Sequence, residues 1–96
     1  MSNEAILAGI EARLAQVERA ELPVHELVPF LHASAEALEG VTWRVIQEGR
    51  DIEVRLTISP FADQDEDFPT LAQAAQNLRD WIEKVRKETC QHARGG

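Results

Sequence analysis

Apolar residues recur along the first third of the chain at helical intervals. Leu7, Ile10, Leu14 and Val17 stand three and four residues apart, with Ile6 beside them, which predicts an amphipathic helix from about Asn3 to Glu21. Ser2 stands where its hydroxyl can accept a backbone N–H bond at the start of that helix. Gly9 lowers helix propensity and has no compensating reason in the pattern. Leu22-Pro23 predicts the break, because proline disfavours helical geometry in the residue before it. Leu27, Leu31, Ala35 and Leu38 then set out a second helix, antiparallel to the first. Pro29 either sits in the first turn of a helix over about 29–39 or kinks a longer one that begins at 24. Gly40 is placed as its left-handed cap.

The pattern changes between Val41 and Pro60. Apolar and polar residues alternate in VTWRV, the alternation breaks at Gly49, and it resumes in IEVRLTI. Val41, Trp43 and Val45, with Ile52, Val54, Leu56 and Ile58 on the return, predict the buried face of a β-hairpin. A tight turn at Glu48-Gly49 is preferred over Gly49-Arg50, since it sets Arg44 opposite Glu53 rather than opposite Arg55. Pro60 ends the second strand and an acidic stretch, FADQDEDFP, follows. Leu71, Ala75, Leu78, Ile82 and Val85 mark the last helix, with Trp81 widening the stripe. It is expected to start near Phe68 to Thr70, with Asp67 or Thr70 as its cap, and to fade between Glu88 and His92. Trp43 and Trp81 both fall on inward positions and read as core anchors.

The expected fold is therefore α+β in the order ααββα: two N-terminal helices, a β-hairpin and a long C-terminal helix. Residues 1–92 form one compact domain and 93–96 a frayed tail. Two strands alone are marginal, so the helices must roof the apolar face of the ribbon. Its outer edges stay unpaired, which offers a route to a homodimer sharing an antiparallel sheet.

Charge narrows the function classes. Net charge is −7 over 96 residues, which on average repels duplex DNA and anionic membranes. The acids concentrate in two places. Residues 1–40 hold seven acids against two bases, and residues 61–70 hold four acids and no base. The C-terminal segment is the basic end, with Arg79, Lys84, Arg86, Lys87 and Arg94. A single cysteine, Cys90, excludes an intramolecular disulfide and suits a reducing compartment. The N-terminus lacks the basic region of a signal peptide, and no apolar run approaches membrane-spanning length, so cytoplasmic residence is expected.

Candidate chemistry is sparse. Asp63, Asp65 and Asp67 have the spacing that opens a calcium loop, but Phe68 and Ala74 stand where that loop needs glycine and glutamate. His25 and His32 are seven residues apart across Pro29, and Cys90 and His92 belong to another element, so no metal set is expected. His92 also falls on a different side of a helix from Cys90, which removes the base a thiol nucleophile needs. No phosphate-cradling glycine loop and no nucleophile elbow is present. The reading is of a non-enzyme without cofactor or metal.

The function expected is that of a small acidic protein-binding module: an inhibitor, adaptor or assembly factor whose partner presents a basic surface. Phage and mobile-element accessory proteins share such dimensions, an association of composition only. The expected partner site is the acidic stretch with its flanking aromatics, Phe61, Asp63, Asp65, Glu66, Asp67 and Phe68. The runner-up is a small DNA-binding regulator that gathers the hairpin's Arg44, Arg50 and Arg55 with the basic C-terminal helix.

Overall fold

A computed structural model describes the backbone of residues 2–61 and 69–95, with side chains described up to Thr89 except that of Phe61. Among the described residues the chain forms four helices: α1 (Asn3–Glu18), α2 (Val24–Ala37), α3 (Trp43–Ile58) and α4 (Leu71–Gly95), with a 3-10 turn at Ser59–Phe61. Each helix packs on its neighbours in the chain, and α4 closes against α1. Every adjacent pair is antiparallel. Asn3 meets Glu39, Glu18 meets Arg79, His32 meets Glu53, and Thr42 meets Glu88. This is an up-down-up-down helical bundle.

The structure corrects the α+β expectation. Residues 43–58 are one helix, and among the described residues there is no strand. The hairpin, its turn at Gly49 and the shared-sheet route to a dimer all fall with it. The segment satisfies two periods at once. Ile52, Val54, Leu56 and Ile58 alternate, but Val45, Gly49, Ile52, Leu56 and Ser59 recur at four, three, four and three residues, and that second row is the buried one. A helix pairs its backbone groups internally, whereas a two-stranded ribbon leaves two open edges. Thr42 caps the helix, its hydroxyl accepting the Val45 N–H at 3.5 Å.

The other helices start where the chain suggests. The Ser2 hydroxyl accepts the Ala5 N–H at 3.2 Å. At α4 the pairing is reciprocal: Thr70 Oγ1 accepts from Gln73 N at 3.2 Å, and Gln73 Oε1 accepts from Thr70 N at 2.9 Å. The first helix stops sooner than expected, where Ala20 adopts a left-handed φ of 59°. α2 is the longer of the two alternatives and carries Pro29 inside it. Proline removes the amide that would bond the His25 carbonyl, and His25 stands exposed. Gly40 is left-handed, with φ 71°, but lies in the connection beyond Leu38, which caps α2. α4 continues to Gly95, past the expected fading point.

Among the described residues, seventeen apolar side chains form one core drawn from all four helices. Ile6, Leu7, Ile10, Leu14 and Val17 come from α1, and Ala74, Ala75, Leu78, Trp81, Ile82 and Val85 from α4. α3 contributes only Val45, Ile52 and Leu56, and Val45 and Ile52 flank the point where the Trp81 ring of α4 approaches α3. That approach depends on Gly49. A Cβ there would lie 2.8 Å from Trp81 Cζ2, closer than real contacts allow. The indole therefore rests on the bare backbone of α3 and donates its N–H to the Val45 carbonyl at 2.7 Å. Gly9 has a milder counterpart: the Phe30 ring lies against it, and the Arg13 guanidinium sits 4.0 Å from the centre of that ring.

Candidate functional site

Most of the sequence-predicted site lies outside the described residues. Asp63, Asp65, Glu66, Asp67 and Phe68 lie outside the described residues, as does the side chain of Phe61, whose backbone closes the 3-10 turn. Among the described residues, Val17, Leu22, Val24, Pro60 and Leu71 line an open depression of about 560 Å³.

The second correction concerns Trp43. The alternating pattern puts it in the core, yet it is 75 % exposed, whereas Trp81 is 3 % exposed and sits inward as its spacing predicts. Once α3 is a helix, Trp43 falls opposite the buried row. Trp43, Gln47, Arg50 and Val54 follow one another at four, three and four residues and make a single outward row. Val54 is 59 % exposed, and it and Trp43 are the two large apolar side chains most open to water among the described residues. Beside this row, Val28 and His32 of α2 and Arg50, Glu53, Val54, Thr57 and Ile58 of α3 line a groove of about 430 Å³.

The groove has a polar floor. His32 Nδ1 lies 3.0 Å from Glu53 Oε1, and Nε2 lies 3.0 Å from Glu36 Oε1. A ring carrying both protons satisfies both carboxylates, whereas a neutral ring turns a lone pair toward one of them. The other oxygen of Glu53, Oε2, is buried with no hydrogen-bond partner among the described residues. Glu53 is thus held between the helices rather than presented to solvent.

The cations of α3 and α4 differ. Three on α4 are tied to carboxylates, while Lys87 is exposed and makes no ion pair among the described residues. Arg79 bonds Glu18, Lys84 bonds both oxygens of Glu48 at 2.9 and 2.8 Å, and Arg86 reaches Glu4, Glu11 and Glu83 together. The hydrogen bond from Arg79 holds the Glu18 carboxyl below its ordinary 4.5, against the smaller opposing effect of burial. Arg86 is held above the ordinary guanidinium range, first by Glu11 and then by Glu4. On α3, by contrast, Arg44, Arg50 and Arg55 are exposed and make no ion pair among the described residues.

This division works against the nucleic-acid patch that the sequence suggested. Arg79, Lys84 and Arg86 neutralise acids of α1, α3 and α4 instead of joining the α3 arginines in one basic surface. Between α3 and α4, Arg55 and Lys84 share a groove of about 340 Å³ with Glu48, Asp51 and Asp80. Among the described residues no three His, Cys, Asp or Glu side chains are grouped to hold a metal ion, and no helix is long and apolar enough to cross a membrane.

The sequence held a signal for the α3 row, because the same letters on a helical wheel set Trp43 and Val54 together and away from Val45, Ile52 and Leu56. Reading the segment by twos hid it. Comparison with known protein families, curated proteins and solved structures finds no match to this chain.

Proposed function

We propose that this protein is a small, acidic, non-catalytic protein-binding module that works in the cytoplasm and docks through the outer face of α3. The observation that carries this reading is Trp43, 75 % exposed at the head of a row with Arg50 and Val54. Tryptophan and arginine dominate the energetics of protein interfaces, because a large flat surface and a delocalised charge both gain when water is excluded. An exposed indole adds little to the stability of the monomer. An enzyme reading has less to stand on, since the grooves are open and their charged groups largely face one another.

The partner surface expected here differs from the basic one suggested by overall charge. The α3 row is locally basic and apolar on an acidic body. A photo-reactive side chain at Gln47, in the middle of the row, tests the reading. Protein adducts are expected from position 47 and not from exposed Ala12 on α1. Equal labelling at the two positions would remove α3 as the docking face.

A further inference from the structure

We infer that the outer face of α3 is taken by a second copy of this chain, packed antiparallel about a two-fold axis beside Gln47 and Glu48. The inference rests on the reading of that face as the docking surface and names what docks there. A two-fold contact requires a patch complementary to itself, in which each residue meets a different one of the same patch. The α3 face meets that requirement in one register.

With the axis at Gln47–Glu48, Trp43 of one copy falls between Arg50 and Val54 of the other. The indole then covers the Val54 side chain with one part of its surface and receives the Arg50 guanidinium on its face. The two Gln47 side chains meet at the axis, where each amide can both donate and accept. In an antiparallel pair, each flank of a helix meets the same flank of its mate. Asp51 lines the groove between α3 and α4, and Arg44, seven residues or about two turns earlier, falls on the same flank by helical spacing. The same axis sets each Arg44 opposite Asp51 of the second copy, and symmetry repeats the pair.

Charge complementarity is what selects a second copy over an unrelated chain. Arg44 and Asp51 are both exposed, and neither has an ion-pair partner among the described residues. A parallel pairing would instead stack Arg50 on Arg50 and turn the flank that carries Arg44 toward the opposite flank of the second copy, away from Asp51. The face spans only about three helical turns, so it buries less than the ~1,200 Å² of a stable complex, and each copy carries −7 overall. The association is accordingly weak and concentration-dependent.

Sedimentation equilibrium across a wide concentration range tests it. The mass is expected to rise from 10.8 kDa toward twice that value. Trp43→Ala should weaken association by about tenfold or more while leaving the helical circular dichroism unchanged. Arg44→Asp and Asp51→Arg should each weaken it, and the double variant should restore it. A mass fixed at 10.8 kDa at the highest concentration overturns the inference, as does association indifferent to Trp43→Ala or a double variant no better than the singles. A fixed monomer whose position 47 still labels a different protein overturns the second copy alone. A fixed monomer with no selective labelling at 47 removes the docking face as well.

Discussion

The two tryptophans lie on opposite sides of one helix and answer to different demands. Trp81 reaches the inner side of α3, rests on Gly49 and donates to the Val45 carbonyl; Trp43 leaves the outer side of α3 and stands in water. The charges around them divide the same way. On the α4 side Lys84 and Arg86 are clasped by carboxylates, whereas the arginines of α3 meet none among the described residues. The α3–α4 seam is built to hold the bundle together. The outer row of α3 is the face proposed to dock, because in a domain this small an indole left in solvent adds nothing to a thin core.

The contrast breaks most directly by removing each indole in turn. Trp81→Ala should lower unfolding free energy by about 3–5 kcal/mol, and Trp43→Ala by no more than about 0.5 kcal/mol, in urea titrations followed by circular dichroism. Similar losses from both would mean that Trp43 is packed after all. Next in size is Gly49→Ala. The added methyl meets the indole and costs about 1–3 kcal/mol, offset by about 1 kcal/mol of helix propensity, for a net loss near ~1 kcal/mol. In a Trp81→Phe background the loss should shrink, which a double-mutant cycle measures.

Smaller effects sharpen the electrostatic half of the contrast. Arg86→Gln leaves Glu4, Glu11 and Glu83 facing one another and should destabilise by about 1 kcal/mol, less at high salt. Arg50→Gln on α3 should leave stability within about 0.5 kcal/mol at any salt concentration. Glu18 sets the smallest expectation. Its folded carboxyl titrates below 4.5, so its pairing with Arg79 contributes above that pH and is lost as pH falls through the lowered folded value. Glu18→Gln should therefore lower stability near neutrality and flatten the acid limb of a pH–stability curve. An unchanged acid limb would show that the pair contributes nothing.

Three of the four helices were legible because their apolar residues obey one period. α1 and α4 repeat at three and four residues with no competing alternation, and their caps, Ser2 and Thr70, are of the types that accept backbone bonds. α3 was illegible for a reason located at one residue. Gly49 in a polar neighbourhood reads as a turn, and its real role, admitting Trp81, depends on a residue 32 positions away in the chain. Trp43 was misplaced for the same reason, since its direction follows from the period assigned to the whole segment. Of the proposed site, the residue types were visible and their shared face was not.

The bare backbone at position 49 has a consequence for how the chain acquires its form. Residues 43–58 bring a mid-helix glycine, several β-branched residues and two competing periodicities, so little within the segment decides between coil, ribbon and helix. Tertiary packing on α2 and on the α4 indole is what favours the helix over the ribbon. Consolidation of α3 should then come late on the folding pathway, with substitutions at Val45, Ile52 and Leu56 speeding unfolding far more than they slow refolding.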